Sequence, residues 1–394
     1  MRSGPNQIAN HELGAYVEVN DEAWALLALF EEPGTVADAV VRGEIEPDEE
    51  PLFFELVARF EAHGILVPPD EARFLAGRGR ALVEAYRATP SPASTGFFGA
   101  FGEEADADFH FLGVPFDHGS ARAGAASGPA ALRACSALVS SFPDPRTGRC
   151  RGVRDAADGA LLLAGALLRD HGDVGFVFGE GVAERYQRIE GAVRALRADT
   201  KATGVPIFIG GDHAISAPIL RALTDEPCFV VHFDAHGDLG PAHQGAPHHH
   251  GNVIARMCEL EVVRGILQVG VRDFMPPWWT PPDKVVQLGA HRIRRMAPAD
   301  VLALVPAGAP VYVTVDIDVL DPAEAPGTGT LLPGGLRVLE LEELLAALGR
   351  ERDILAADLV EVAPAPSDEL TAIAATRCLL RLMDAIQHRR RAPP

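Results

Sequence analysis

Val230-Val231-His232-Phe233-Asp234-Ala235-His236-Gly237-Asp238 is an apolar, β-rich run that ends in two carboxylates and an imidazole at i, i+2 and i+4. At the tip of a strand, alternate side chains leave the backbone on the same side, so Asp234, His236 and Asp238 can converge on one point. Val311-Tyr312-Val313-Thr314-Val315-Asp316-Ile317-Asp318 ends in the same manner. Val205-Pro206-Ile207-Phe208-Ile209-Gly210-Gly211-Asp212-His213 delivers His213 at the expected start of a helix. Hard carboxylate oxygens mixed with imidazoles suit Mn2+ or a similar first-row ion better than Mg2+ alone or a thiolate-bound zinc. So few ligands can serve two ions only if carboxylates bridge. Asp234 and Asp316 lead their clusters and take that role, with His213 and Asp238 completing one ion and His236 and Asp318 the other. Two ions about 3.5–4 Å apart can lower the pKa of a shared water and hold it against an electrophilic carbon. The expected chemistry is hydrolysis. A single Asp-x-Asp after a strand is ordinarily a turn or a helix cap, but three such clusters on three strands of one sheet outweigh that reading.

The elements that must position these residues alternate from about residue 108 onward. Expected strands are 109–114, 174–178, 206–209, 229–233, 266–271, 285–288, 311–315 and 355–360, with helices over 128–139, 183–202, 214–223, 339–348 and 367–386. Continuous apolar strands separated by helices predict an α/β fold of three αβα layers, with a mostly parallel sheet covered on both faces. In such sheets ligands bind beyond the carboxyl ends of the strands, where these Asp and His residues fall.

The remainder of the chain sets bounds. Its 394 residues allow one large domain and a small one, and no segment has the unbroken apolar length of a membrane span or a signal-peptide core. Cys135, Cys150, Cys228, Cys258 and Cys378 are odd in number and scattered, which fits reduced packing residues in a cytoplasmic protein. The net charge is −20, and residues 1–70 hold three arginines against fifteen Asp and Glu. Such a surface repels a phosphate backbone and argues against nucleic acid as a partner.

Residues 1–88 predict a separate small domain. Asn20-Asp21 can cap a helix burying Trp24 and Leu27, Thr35 a second through Ala39 and Val40, and Pro51 can open a third carrying Phe53, Leu56, Val57 and Phe60. Ile65-Leu66-Val67 would close a winged-helix-like unit, and an acidic loop, 44–50, joins two of its helices. The pattern Val17 to Leu27, Gly34 to Val40 and Leu56 to Leu66 resembles a PqqD-like peptide-recognition element. That resemblance implies a partner, the leader segment of a ribosomally made precursor peptide. Residues 89–107, opening on Thr89-Pro90-Ser91-Pro92, read as a linker to a catalytic domain over 108–394.

Gly210-Gly211-Asp212-His213, Asp234-Ala235-His236-Gly237-Asp238 and Asp316-Ile317-Asp318-Val319-Leu320-Asp321-Pro322 resemble the three signatures of the ureohydrolases, the arginase and agmatinase family. Further matches are Gly113 to Asp117, Ala325 to Thr330 and Asp358-Leu359-Val360-Glu361-Val362, closest to the agmatinase branch. The resemblance implies an enzyme with two Mn2+ ions that hydrolyses a guanidino group to urea and an amine, commonly as a homo-oligomer. It implies that Glu361 pairs with the guanidinium and that His250 shuttles a proton to the departing amine. Asp238 can accept a hydrogen bond from the attacking water, and His248 and His249, in the same histidine run, are expected at the substrate mouth. Position 214 is Ala where the family has Ser or Thr, and Gly240 replaces an asparagine with which arginases grip a free amino acid's carboxylate. The expected substrate is therefore arginine within a precursor peptide, converted to ornithine. The alternatives are a small guanidino compound such as agmatine, or an inactive metal-bearing peptide binder.

Overall fold

The computed structural model describes residues 2–4, 7–10, 15–18, 29, 39–41, 43, 45, 53–54, 57, 96–100, 106–118, 123–138, 147–177, 180–199, 204–240, 249–364 and 369–391. The chain divides into two compact units, Met1–Tyr86 with Gly175–Arg185, and Arg87–Val174 with Tyr186–Pro394.

In the first unit, β1 (Arg2–Gly4), β2 (Gln7–Asn10) and β3 (Ala15–Glu18) form an antiparallel meander. Sequence reasoning anticipated neither β1 nor β2. Ala39, Phe53 and Val57 pack into a small buried cluster with Leu29, Val40 and Ile45 beside it. The expected first helix around Trp24, the strand at 65–67 and residues 89–95 and 101–105 of the expected linker 89–107 lie outside the described residues, while Phe97 and Phe98 within that linker are buried in the core of the second unit.

The second unit is built on eight parallel strands: β4 (Phe109–Val114), β5 (Leu168–Asp173), β6 (Val205–Gly210), β7 (Cys228–Phe233), β8 (Val263–Val271), β9 (Val285–Gly289), β10 (Pro310–Asp316) and β11 (Asp353–Val360). Their order is β9-β8-β7-β10-β11-β6-β4-β5. The chain lays down β4 to β6 on one side and β7 to β9 on the other, then returns to fill the centre with β10 and β11. That winding makes β7, β10, β11 and β6 contiguous, and these four carry the site.

The helices are α1 (Gly128–Leu138), α2 (Val182–Asp199), α3 (Ser216–Leu223), α4 (Val253–Cys258), α5 (Ala290–Ile293), α6 (Pro298–Leu302), α7 (Val338–Glu351) and α8 (Leu370–Arg391). On one face of the sheet Phe109, Phe111, Ile207, Ile209, Val231, Phe233, Val313 and Val315 share a core with Leu341 and Leu344 of α7 and Leu379 and Met383 of α8. Leu341, Leu344, Leu345 and Leu348 recur at helical spacing and are all buried. Glu340 caps the start of α7 by accepting the Arg337 N–H at 2.9 Å. The helices α1, α8, α7 and α6 pack successively on this face, and α3 packs on α4. Each buried Val, Leu, Ile or Phe stabilises by about 1.5–3 kcal/mol before conformational entropy is charged against it.

The strand expected at 174–178 is instead Leu168–Asp173. The apolar run Val174-Gly175-Phe176-Val177 attracts the expectation, but the ladder forms one segment earlier because β5 is an edge strand. One side of an edge strand is unpaired, so Arg169, Asp170 and His171 are tolerated there, half-buried. Among the described residues, no helix is long and apolar enough to cross a membrane.

One close approach fixes how β6 meets the rest. A Cβ at Gly211 would lie 1.7 Å from the carbonyl oxygen of Phe116, while the Gly211 N–H donates to Val114 O at 2.8 Å. Both neighbours are backbone and cannot swing aside. Gly211→Ala should therefore lower the unfolding midpoint by roughly 5 °C or more. A thermal melt of metal-free protein checks this, and an unchanged midpoint would remove the close approach from the account.

Candidate binuclear metal centre

Six side chains from the ends of three strands, β6, β7 and β10, meet at one edge of the sheet. His213 Nδ1 stands 3.1 Å from Asp234 Oδ2, 3.3 Å from Asp238 Oδ2 and 3.3 Å from Asp316 Oδ2. His236 Nδ1 stands 3.0 Å from Asp318 Oδ2 and 3.3 Å from Asp234 Oδ1. Asp234 thus turns one oxygen toward each histidine. Among the described residues, two groups of ligand atoms are close enough to hold a cation: His213, His232, Asp234 and Asp238, and Asp234, His236 and Asp318.

Backbone donors set these carboxylates. Asp234 Oδ1 accepts the His236 N–H at 2.6 Å, Asp316 Oδ1 the Asp318 N–H at 2.9 Å, and Asp318 Oδ1 the Ala235 N–H at 3.0 Å. The last bond ties the end of β10 to the end of β7. Asp212, although buried in the same signature, caps the turn His213–Ile215 by accepting the Ala214 N–H. His213 Nε2 bonds Thr314 Oγ1 at 2.8 Å, and Ser216 Oγ reaches the same hydroxyl at 3.4 Å. Position 214 is Ala, and the hydroxyl on this ligand comes from Thr314. Sequence reasoning missed Thr314 because one threonine inside an apolar strand carries no signal of its partner.

The ligand set fits divalent cations. His213 Nδ1 is buried with no hydrogen-bond partner, yet carboxylate oxygens surround it. Without a cation, protons must compensate. Burial, then Asp318 and Asp234, push the Asp316 carboxyl well above its usual range. Burial, then Asp234, push Asp318 up to about 6. Burial alone would lower the two histidines, but Asp234, Asp238 and Asp316 hold His213 well above its ordinary value. Asp234 and Asp318 likewise push His236 up to about 12. Burial would raise Asp234, but His232, His213 and His236 together hold it well below the usual range. Four carboxylates and two imidazoles balance two divalent cations in charge.

The ligands open into a cavity of about 290 Å³ lined by His236, Asp238, His250, Asp316, Asp318 and Glu361, with Asp273, Met275 and Thr330 among its other walls. Glu361 follows β11 with φ +63°, and Asp238 has φ +48°. Both are left-handed conformations that non-glycine residues rarely adopt, and such strain gathers at functional sites. Glu361 Oε1 accepts the His213 N–H at 2.8 Å, which leaves its second oxygen to the cavity. Burial, then Asp212, push its carboxyl well above the usual range. His250 Nδ1 is buried without a hydrogen-bond partner, and burial lowers the ring's pKa. His249 does not line the cavity, and His248 lies outside the described residues. Its ring lies edge-on to His250 at 5.8 Å, and its backbone N–H donates to Asn252 Oδ1. Asp273, which sequence reasoning overlooked, accepts the Gly237 N–H at 3.1 Å. It follows Arg272, whose guanidinium reaches the carbonyls of Asp318, Leu320 and Leu332.

A parallel α/β sheet with paired cation ligands at its carboxyl edge defines a class of metal-dependent hydrolase. The comparisons narrow it. Residues 107–384 match the model of the arginase family. An agmatinase of Bacillus cereus is 34% identical over 220 residues, 54% of this chain and 73% of that protein. A guanidinopropionase of Pseudomonas aeruginosa is 35% identical over 286 residues, 67% of this chain and 82% of that one. The crystal structure of a hypothetical agmatinase from Burkholderia thailandensis superposes with a TM-score of 0.64 at 27% identity, covering 77% of this chain and 98% of that one. The chain belongs to the arginase family, and with it to the metal-dependent amidine hydrolases.

The shifted groups predict a pH dependence. A carboxyl whose folded pKa is raised binds more protons folded than unfolded, so its stabilisation is complete at low pH and is lost as pH rises through the folded value. For Asp318 that loss ends near about 6. For Asp212, raised by burial, it ends near about 8. Raised His213 and His236 act in the same direction. Buried His110 and His171, lowered to about 4, and His250, also lowered, act the other way below about 6.5, so in a chelator the unfolding midpoint should fall from pH 6.5 to pH 8. Divalent metal should flatten the decline while releasing protons on binding. A midpoint rising with pH over that range in chelator would contradict these assignments.

Proposed function

We propose that the chain hydrolyses a guanidino group to urea and an amine. One observation carries the reading: Glu361, its backbone strained and one oxygen tied to His213, presents its other oxygen to a cavity floored by the paired ligands. Two Mn2+ ions, one held by His213 and Asp238, the other by His236 and Asp318, with Asp234 and Asp316 shared, would activate the attacking water. A guanidinium is always charged and pairs with a carboxylate through a fork of N–H donors, so its arrival favours the ionised form of Glu361. Asp238 accepts a hydrogen bond from the water and orients it. His250, held low by burial, is free at neutral pH to take a proton and deliver it to the departing amine.

A small guanidino compound of the agmatine type has the better support for substrate, because the relatives named above act on such molecules by name. The chain's own residues agree. A Cβ at Gly240 would lie 2.8 Å from Gly251 O, so this position offers no side chain to grip an amino acid's carboxylate. A second reading, arginine within a precursor peptide, draws on one feature. Phe274 is 97% and Trp278 82% exposed, flanking the cavity residue Met275. This apolar rim fits a guanidine carried on a larger body, with residues 1–88 binding the leader.

Urea release should be measured with agmatine, free arginine, and an arginine-containing peptide with and without a leader. We expect agmatine to be turned over with kcat/KM at least about tenfold above that of arginine. Turnover of the peptide alone, dependent on the leader, would replace the small-molecule reading with the second one. Asp234→Asn and Asp316→Asn should each lose metal, read by elemental analysis, together with turnover. Glu361→Gln should keep its metal and lose about two orders of magnitude or more in kcat/KM. Full activity in any of the three variants would defeat that residue's assignment.

A further inference from the structure

One level below the ligands, five polar side chains cross the sheet in a single row. Register pairs Gln287 of β9 with Gln268 of β8, Gln268 with His232 of β7, His232 with Thr314 of β10, and Thr314 with Asp358 of β11. Gln268, His232, Thr314 and Asp358 are fully buried. A buried polar group without a partner destabilises, so each member must be paired. Thr314 serves His213, as described above. The other half of the row serves Asp234.

Gln268 Nε2 donates to Gly237 O at 2.7 Å and lies 2.9 Å from His232 Nδ1. Its Oε1 accepts from Gln287 Nε2 at 2.7 Å. The reversed amide would set Oε1 against the Gly237 carbonyl, a mismatch that turning the Gln287 amide cannot relieve. The orientation is therefore fixed, and both amide hydrogens have assigned acceptors, one of them His232 Nδ1. His232 then carries its proton on Nε2, which lies 2.8 Å from Asp234 Oδ2. Gly237 admits this packing, since a Cβ there would stand 3.2 Å from Gln287 Nε2.

We propose that Gln268, backed by Gln287, fixes His232 as an Nε2–H donor to Asp234, making His232 a positioning residue and not a metal ligand. Its ring lies among the ligand atoms, but the nitrogen that faces them bears the hydrogen. The bond sets the rotation of the carboxylate shared by the two ligand groups. Outer partners that orient metal ligands typically change affinity ten- to a hundredfold when removed.

The proposal rests on the metal reading of the site, and two measurements separate the two. In the metal-free full chain labelled with 15N-histidine, long-range 1H–15N correlation should show the His232 ring, assigned by its loss in His232→Asn, protonated on Nε2. An Nδ1–H pattern overturns the proposal without any functional variant. Mn2+ binding followed by titration calorimetry should weaken for at least one ion by about ten- to a hundredfold in Gln268→Glu, which keeps the shape and replaces the donor with an acceptor. Gln287→Leu, at the half-buried end of the row, should shift affinity in the same direction by less. Unchanged Mn2+ affinity in Gln268→Glu, or a loss confined to the metal-free unfolding midpoint, overturns the proposal. Failure of the unaltered protein to bind Mn2+ would defeat the metal reading, and the ring's tautomer would still decide the positioning role.

Discussion

Buried carboxylates at the end of a sheet repel one another, and the arrangement of the catalytic unit follows from that repulsion. Two unit charges about 4 Å apart cost about 4 kcal/mol at an effective dielectric of about 20. Asp234, Asp316 and Asp318 are all buried, with Asp238 beside them. No stabilising term in the local sequence offsets several such pairs. Backbone N–H donors relieve part of the charge, and protons on His213, His236 and Asp316 relieve more. Two divalent cations remove the conflict and displace those protons. Metal binding at such a site is therefore coupled to proton release.

Holding repelling groups in place demands a stiff frame. The ligands sit at the ends of strands whose apolar residues are almost wholly buried, and the chain's return through β10 and β11 sets four site-bearing strands side by side. Stability alone does not demand the row Gln287-Gln268-His232-Thr314-Asp358, since paired polar groups exchange for apolar ones of the same shape at little cost. It is polar because hydrocarbon cannot orient an imidazole or a carboxylate. The Tyr312 hydroxyl, which donates to Asp358, extends the same network at its far end.

Much of this was legible in the sequence because it is local. An apolar run ending in Asp-x-His-x-Asp states both the strand and the direction of its ligands, so β6, β7 and β10 were readable with their site residues. Features that depend on position within the sheet were not. Leu168–Asp173 is polar because it lies at an edge, a fact invisible until the strand order is known. Gln268 and Gln287 are nineteen residues apart, and only the register of β8 and β9 reveals that they meet. Asp273 lies on a loop placed by Arg272, whose carbonyl partners come from distant segments. The strands β1 and β2 escaped notice because such short segments lack clean alternation of polar and apolar residues.

The division between strand and loop also separates two functions. The carboxylates and imidazoles that would hold the metals and the guanidinium stand at a strand end or in the few residues after one: Asp316 closes β10, Asp234 and Glu361 directly follow β7 and β11, and His213, His236, Asp238 and Asp318 come shortly after β6, β7 and β10. Of the residues that would choose among guanidino substrates, Gly251 lies in the turn His250–Asn252, Gly240 lies outside any strand or helix, and Asp273, Phe274, Met275 and Trp278 stand on the loop after β8. Loops change with little effect on the frame, so substrate preference can drift while the ligand set is retained. Relatives at 33 to 35% identity to this chain carry different substrate names, agmatinase, proclavaminate amidinohydrolase and guanidinopropionase, as that separation allows. Gly240 shows how small such a change can be. With Gly251 O pressed against it, the position cannot regain a side chain by substitution alone, so restoring a grip on zwitterionic arginine would require the opposing backbone to move as well.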